Sequence, residues 1–330
     1  MIGAIVKWLR RIGVGAIAFM CAWCVTGLAM AANDWNNPPR GTLIDVDGRK
    51  QRLVCQGQAV AGVPIVVFES GIYSGAADWG FIQPEVAKGG RTCSYDRAGM
   101  GWSQPSNNSR DSASMAREAH QLLDVAGERG PYVLVGHSMA GLLTRAFLSQ
   151  FPNDVVGLVL IDAADPGSGA MGTARVWLQR AARVANFAAS VAPFGVIKPL
   201  APFYANGIGQ SGIALTEKRK MFGASSHMRA SAREIEAVME RLEVAIAGDT
   251  YIPALPVATI TAGPVREGRS QWKESQARAA RLSTRGTSLN IDSASHTSIL
   301  GPLHGTAVID AIERVRSDAI GDMKAKAIAP

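Results

Sequence analysis

Residues 132–143, YVLVGHSMAGLL, decide the fold that this sequence predicts. The first four are apolar, as in a strand buried on both faces of a parallel sheet, and Leu142 to Leu148 have helical character. Between them, residues 136–141 form a Gly-x-Ser-x-Ala-Gly turn, whose small residues let the chain bend sharply from strand to helix. Alanine replaces the second glycine of the usual pattern but is still small. Such a bend holds a serine Oγ clear of the backbone, so Ser138 is the candidate nucleophile.

Outside this turn, apolar strand-like runs alternate with helix-like segments, which predicts an α/β fold with a mostly parallel sheet. A hairpin about Asp47 and Gly48 forms its antiparallel edge, because both residues tolerate the positive φ of a two-residue turn. The predicted strands are Thr42–Val46, Lys50–Cys55, Pro64–Glu69, Arg91–Tyr95, Tyr132–Gly136, Val155–Ile161, Val257–Ala262 and Thr287–Ile291. The predicted helices are Trp79–Lys88, Ser112–Ala126, Gly141–Gln150, Ser270–Leu282 and Thr306–Ser317.

One long segment, residues 166–256, interrupts this alternation and contains no strand-like run. Its apolar spacing is helical, and it is rich in methionine and aromatic residues. We expect a helical insertion that buries most of these residues in a small core of its own and covers the site as a lid. Residues 33–165 and 257–330 then form the α/β core.

The N-terminal segment is predicted to be an export signal. Lys7, Arg10 and Arg11 precede the uncharged run Ile12–Met30, and residues 29–31, Ala-Met-Ala, offer a signal peptidase site. The alternative is an uncleaved membrane anchor, because about 20 apolar residues can span a bilayer. Either way, residues 1–31 place the rest of the chain outside the cytoplasm, as a periplasmic or secreted protein, and only the anchor gives a membrane contact.

Composition excludes several classes of protein. With 47% hydrophobic and 18% charged residues and 4 Cys in 330, the chain is neither disordered nor a disulfide scaffold. The net charge of +7 includes three cations of the export segment. The sequence has no basic stripe with aromatic residues, no phosphate-binding loop and no metal-ligand cluster, so we expect no nucleic acid, cofactor or metal.

Four further segments, taken with the turn at Ser138, resemble the α/β-hydrolase fold family in its serine-nucleophile, lid-bearing branch of esterases and lipases. Residues 69–72, ESGI, stand where the family carries its oxyanion loop, and residues 95–103, YDRAGMGWS, resemble the loop after the fourth strand. Residues 160–166, LIDAADP, end the sixth strand, and His296 follows the eighth. The resemblance implies an eight-stranded sheet with helices on both faces and a lid inserted after strand six.

The resemblance assigns the base that Ser138 needs to His296, in the loop after the last strand. The acid usually follows the seventh strand, but Arg266 stands where an Asp is expected there. Some relatives place the acid after the sixth strand, where Asp162 lies, so Asp162 is the first candidate. Three alternatives remain open: Glu267, Asp165 and Glu274.

Two further features follow from the resemblance. The backbone amides of Met139, directly after the nucleophile, and of Ile72, directly after Gly71, would form the oxyanion hole. The second and fourth strands are neighbours in this fold, so Cys55 and Cys93 would form a disulfide, in keeping with an oxidising compartment.

The sequence therefore predicts an exported serine hydrolase that cleaves a carboxylic ester, or a similar acyl bond, of an apolar small molecule through a Ser-His-Asp triad. An amidase or aminopeptidase and a carbon–carbon bond hydrolase use the same triad and remain alternatives, as does a non-catalytic binding protein. A serine nucleophile argues against epoxide hydrolase chemistry, which uses an aspartate in this fold. The sequence does not indicate an oligomeric state.

Overall fold

The computed structural model describes residues 2–35, 39–165, 171–246, 254–265 and 270–328. Within these ranges the strands are β1 Thr42–Val46, β2 Arg49–Gln56, β3 Ile65–Glu69, β4 Thr92–Tyr95, β5 Tyr132–His137, β6 Val155–Ile161, β7 Val257–Ala262 and β8 Gly286–Ile291. The α-helices are α1 Ile2–Trp35, α2 Ile82–Val86, α3 Ser112–Val125, α4 Ala140–Gln150, α5 Met171–Val191, α6 Ala201–Tyr204, α7 Gly212–Met221, α8 Ser225–Ile246, α9 Ser270–Gln276, α10 Arg278–Leu282 and α11 Gly305–Ile328.

The strands form one sheet in the order β1-β2-β4-β3-β5-β6-β7-β8. The first two pairings, β1 with β2 and β2 with β4, are antiparallel, and all the later pairings are parallel. The predicted fold class, an α/β fold with a mostly parallel eight-stranded sheet, is confirmed. Because parallel strands end at the same edge, the turns after β5 and β6 and the loop after β8 meet there.

The antiparallel end of the sheet follows the sequence prediction closely. Asp47 and Gly48 have φ values of 52° and 75°, so the β1–β2 turn uses the left-handed backbone that these residues tolerate. Cys55 of β2 lies directly opposite Cys93 of β4 and forms a disulfide with it. This pair links two strands that adjoin only in the folded sheet.

The core lies on both faces of the central strands. Val66 and Phe68 of β3 pack on one face with Val133 of β5 and Val159 of β6, whereas Val67 and other alternate residues pack on the opposite face. Such two-sided burial explains why these strands are continuous apolar runs. The edge strand β8 differs from the prediction, because residues 287–289 are exposed, whereas its inner neighbour β7 is fully buried.

The helices of the α/β core are present where the sequence predicts them, with altered bounds. The first is shortened to α2 and flanked by 3₁₀ turns. The fourth is split into α9 and α10, and the last extends to Ile328.

Helices α5 to α8 lie between β6 and β7, and we call the described residues 171–246 the insertion. The insertion is helical, as predicted, but its large side chains are not buried as a group. Ala182, Leu178 and Ile235 form the contact between α5 and α8. The side chains of Trp177 and Phe187 are 62% and 68% exposed. The expectation that most bulky residues fill a small core is therefore wrong, because α5 packs on α8 mainly through its smaller residues.

Helix α1 is the one helix in the described parts of the chain that is long and apolar enough to cross a membrane. Its span, Ile2–Asp34, has a mean hydropathy of 2.0 and is almost entirely exposed. Near its C-terminal end it contacts the insertion, where Trp23 Nε1 donates to the carbonyl oxygen of Val196 at 2.9 Å and Asp34 pairs with Lys198.

Candidate active site

The turn between β5 and α4 holds Ser138 in a strained backbone conformation. Its φ is +60°, a value that non-glycine residues adopt rarely and mostly where function requires it. Small neighbours make the bend possible: a Cβ on Gly141 would lie 2.3 Å from the carbonyl oxygen of Ala164, and one on Gly136 would lie 2.8 Å from Thr144 Cγ2. The sequence thus places a half-buried hydroxyl at the carboxyl end of the central strand.

His296 reaches this hydroxyl from the loop after β8. Its Nε2 lies 2.9 Å from Ser138 Oγ, and its Nδ1 lies 2.6 Å from Asp162 Oδ2. The second contact fixes the tautomer, since a proton on Nδ1 leaves the Nε2 lone pair free to accept the serine proton. The imidazole is half-exposed, so it remains open to a substrate.

Asp162 follows β6 and is held firmly in place. Its φ is +41°, and its Oδ1 accepts hydrogen bonds from the Ala262 amide at 3.1 Å and from Gln276 Nε2 at 3.0 Å. Burial by itself raises the pKa of Asp162, but the hydrogen bond and charge of His296 and the Ala262 amide outweigh it and lower the pKa below its ordinary value. The carboxylate therefore stays ionised beside the imidazole at neutral pH.

The alternative acids have other surroundings. Asp165 is buried and pairs with Arg145 at 3.2 Å and Arg278 at 3.3 Å. Glu274 is exposed on α9. Glu267 lies outside the described residues. Of the acids that the sequence left open and the structure describes, Asp162 contacts the imidazole.

The two predicted oxyanion amides flank Ser138. Met139 precedes the first residue of α4, where amide groups have no acceptor within the helix. On the other side, Gly71 lies so close to Ser138 that a Cβ there would be 2.8 Å from Ser138 Cβ. Ile72 follows directly, so its amide belongs to a loop that touches Ser138.

A sequence model of the family described as alpha/beta hydrolase fold matches residues 64–226. The match spans β3 to β6, the Ser138 turn and most of the insertion. The chain belongs to the α/β-hydrolase fold family. Solved structures agree with this assignment of the fold. An epoxide hydrolase, CorEH, superposes with a TM-score of 0.64 at 14% identity, covering 85% of this chain and 98% of its own. An esterase from Thermogutta terrifontis superposes with a TM-score of 0.57 at 18% identity and the same coverage.

Among curated proteins, the Bacillus subtilis protein YbdG is 28% identical over 129 residues, which is 38% of this α/β hydrolase and 39% of YbdG. YbdG is named as an uncharacterized protein. This α/β hydrolase therefore matches well under two thirds of that relative's length.

The structure of the α/β hydrolase also shows a contact that sequence reasoning missed. His137 is buried in the turn, and its ring centroid lies 4.7 Å from that of His296. Burial, with the neighbouring His296 charge, lowers the pKa of His137 to about 3. The neutral ring carries a proton on Nε2, which donates to the carbonyl oxygen of His296 at 2.8 Å and so fixes the backbone of the histidine loop. No periodicity or spacing in the sequence signals this contact.

Proposed function

We propose that this protein is a serine hydrolase that cleaves a carboxylic ester, or a similar acyl bond, of an apolar small molecule. The observation that carries the proposal is the continuous chain of contacts from Ser138 Oγ to His296 at 2.9 Å and from His296 to Asp162 at 2.6 Å. Nucleophile, base and orienting acid in this order are the constellation that acyl transfer needs.

The first half of the reaction forms an acyl-enzyme. Ser138 Oγ attacks the substrate carbonyl carbon while its proton moves to His296 Nε2, and the Asp162 carboxylate stabilises the resulting imidazolium. The oxyanion receives hydrogen bonds from the amides of Ile72 and Met139. Collapse of the tetrahedral intermediate breaks the bond to the leaving alcohol, which takes the proton from His296.

The second half releases the acid. Water gives a proton to His296 Nε2 and attacks the acyl carbon. A second oxyanion forms and collapses, and Ser138 Oγ leaves and recovers its proton from the imidazolium. Asp162 supports both halves of the reaction, because its hydrogen bond with His296 Nδ1 keeps the imidazole in the same orientation throughout.

Apolar side chains beside the oxyanion loop support an apolar substrate. Ile72 packs against two apolar clusters, one that includes Met139 and Leu142 and one that includes Leu178 of the insertion. The insertion thus adjoins the site, and we infer that it acts as a lid. A serine at the turn supports acyl chemistry over epoxide opening, although several structural neighbours carry epoxide hydrolase in their names.

Steady-state kinetics test the proposal. We expect the full chain to hydrolyse p-nitrophenyl esters, with a preference for acyl chains longer than acetyl, and the Ser138→Ala variant to be inactive. Aminoacyl anilides and a vinylogous diketone, assayed in parallel, separate amidase and carbon–carbon bond hydrolase activity. Ester turnover that persists in Ser138→Ala would contradict the proposal.

We also propose that the protein is exported and acts in the periplasm or outside the cell. The apolar helix α1 and the disulfide Cys55–Cys93 support export, because disulfides persist in oxidising compartments. Cell fractionation with intact-mass measurement tests this. A mass corresponding to a mature start at residue 32 indicates cleavage, the full mass in the membrane fraction indicates an anchor, and a cytoplasmic location contradicts export.

A further inference from the structure

A buried arginine from the turn after β4 holds the loop that carries the Ile72 amide. The Arg97 side chain is 3% exposed. Its Nη2 donates to the carbonyl oxygen of Gly71 at 2.8 Å, and its Nη1 donates to the carbonyl oxygen of Ser70. These acceptors are the two main-chain carbonyls that immediately precede Ile72.

The contact with Gly71 determines where the next amide points. The carbonyl of Gly71 and the N–H of Ile72 belong to one planar trans peptide unit, in which C=O and N–H point in opposite directions. A guanidinium that fixes the carbonyl therefore fixes the N–H on the far side. Because Gly71 itself lies against Ser138, a small rotation of this unit would move the amide away from an oxyanion formed there.

The loop needs such support because its next residue is strained. Tyr73 has a φ of +57°, the left-handed region that a bulky side chain rarely adopts. The insertion holds this residue at two points: Tyr73 Oη donates to the carbonyl oxygen of Ala181 at 2.8 Å, and Lys218 Nζ donates to the carbonyl oxygen of Tyr73 at 3.3 Å. The strained turn is thus held between the core and the insertion.

Arg97 itself is oriented from the insertion. Glu234 of α8 is fully buried and accepts from Arg97 Nε at 3.0 Å and from Nη2 at 2.8 Å, in a bidentate pair. Glu69 accepts from Nη1 at 2.7 Å. With both carboxylates and both carbonyls bound, the planar guanidinium has one orientation available. Displacement of α8 would remove one side of this arrangement.

We propose that Arg97 is a positioning residue for the oxyanion hole: by binding the carbonyl of Gly71 it aims the Ile72 amide at the reacting carbonyl, and through Glu234 it makes that aim depend on helix α8. The inference rests on the proposed serine hydrolase function and deepens it. The insertion then helps to assemble the catalytic geometry besides covering the site.

A merely structural buried ion pair is the alternative, and the chain offers a matched control for it. Arg52 is fully buried and pairs with Asp96 at 3.2 Å and with Glu217 of the insertion at 2.8 Å. It thus repeats the pattern of one core arginine and one insertion carboxylate. Besides these two carboxylates, the Arg52 side chain donates to the main-chain carbonyl of Arg40, which is far from the Ser138 turn in sequence. Conservative changes at Arg52 and Glu217 therefore disturb a comparable ion pair that does not bind the oxyanion loop.

The test compares Arg97→Lys with Arg52→Lys in the full chain. Lysine keeps the charge but cannot bind two carbonyls and a carboxylate in one plane. We expect kcat on a p-nitrophenyl ester to fall about 10- to 100-fold in Arg97→Lys, less than the ~10²–10³ cost of losing a donor outright, with KM nearly unchanged. The inhibition constant of a trifluoromethyl ketone, which forms an oxyanion on Ser138, should rise by a similar factor. Arg52→Lys should change neither beyond about twofold.

A second pair keeps the test decisive if Arg97→Lys does not fold. Glu234→Gln preserves the shape of the side chain but removes its charge and replaces one acceptor oxygen with an NH2 group, which cannot accept from Arg97. We expect it to lower kcat about 3- to 10-fold, with the same effect on the ketone. Glu217→Gln is its control and should have little effect. Equal behaviour of the Arg97 and Arg52 variants, or of the two glutamine variants, would overturn the inference.

Hydrogen–deuterium exchange separates this inference from the proposed function. The peptide containing residues 70–74 should exchange faster in Arg97→Lys and Glu234→Gln than in either control, whether or not the protein turns over an ester. Unchanged exchange would overturn the positioning role. If the variants show this exchange pattern but the wild type hydrolyses no acyl substrate, the hydrolase proposal alone is contradicted.

Discussion

The carboxyl edge of the sheet and the helical insertion use side-chain size in opposite ways. At the sheet edge, small residues surround Ser138 and large ones, such as Leu158 and Ile161 of β6, are fully buried beneath it. In the insertion, Ala182 and Ala185 are buried against α8 while Trp177 and Phe187 are mostly exposed. At the sheet edge, the large apolar side chains are buried and make the frame around Ser138 rigid. In the insertion, several large apolar side chains remain exposed and are available for other contacts.

Because of this difference, we expect substitutions in the two regions to have different effects. Changes at the strand ends should act on catalysis or on the stability of the whole domain, because those residues sit in a packed, strained frame. Changes at large exposed residues of the insertion should leave stability nearly unchanged, since little surface is lost from the core.

The largest effect should come from the acid after β6. We expect Asp162→Asn to lower kcat about 10⁴-fold with the protein folded, because the amide favours the wrong tautomer of His296. Glu267→Gln is the matched control and should retain near-normal turnover. Steady-state kinetics on an ester measure both, and collapse in the control with activity in Asp162→Asn would assign the acid to Glu267 instead.

A pair of truncations compares the two regions directly. Leu158→Ala should lower the free energy of unfolding by about 3 kcal/mol, because it leaves a cavity in the core that covers one face of the sheet. Phe187→Ala should change it by less than ~0.5 kcal/mol, because the ring is 68% exposed. Chemical denaturation of the two variants measures this, and a large loss in Phe187→Ala would show that the aromatic face of α5 is structural.

The close approach of Gly71 to Ser138 predicts a smaller, catalytic effect. Gly71→Ala should lower kcat about 100-fold, because a Cβ 2.8 Å from Ser138 Cβ must displace the loop or the nucleophile. Gly321→Ala on α11 meets no atom within 4 Å and should be neutral or slightly stabilising. Kinetics and melting temperature together separate a local displacement from loss of the fold.

The smallest effect concerns pH and the insertion. Burial first, and the charge of Lys218 second, lower the pKa of His227 to about 4. In the unfolded chain His227 is protonated below about pH 6.5, whereas in the folded protein it is protonated only below about pH 4. The free energy of unfolding therefore falls as the pH drops through this interval. We expect this group to account for a loss of about 2 kcal/mol between pH 7 and pH 5.

Denaturation of the wild type and of His227→Gln at both pH values measures that contribution. Glutamine can still accept from the Gly101 amide, which donates to His227 Nδ1 at 3.2 Å. The pH-dependent loss should shrink in the variant, with the remainder due in part to buried His137. An identical pH dependence in both proteins would contradict the assignment.

The sheet and the positions of most candidate site residues could be predicted from the sequence, and for specific reasons. A strand that is buried on both faces requires a continuous apolar run, such as Val155–Ile161, which is visible in the sequence. The strained turn requires small residues around Ser138, which are equally visible. The edge strand β8 was harder, because its middle residues are exposed on both faces, which permits polar residues such as Thr287 and Ser288. Its position beside β7 still follows from the fold.

What the sequence could not provide were contacts between distant segments. Arg97 and Glu234 are 137 positions apart, and neither residue stands in a pattern that points to the other. The exposure of Trp177 was missed because an apolar helical face looks the same whether it is buried or not. The contact of His137 with the backbone of His296 likewise depends on how two loops meet at the sheet edge.

The most direct measurement is labelling by a fluorophosphonate probe, with the modified residue located by peptide mass spectrometry. We expect a covalent adduct on Ser138 in the folded wild type, much slower labelling in Asp162→Asn, and none at this position in Ser138→Ala. A folded wild-type chain that remains unlabelled, or one labelled only at another residue, would contradict the assignment of Ser138 as an activated nucleophile.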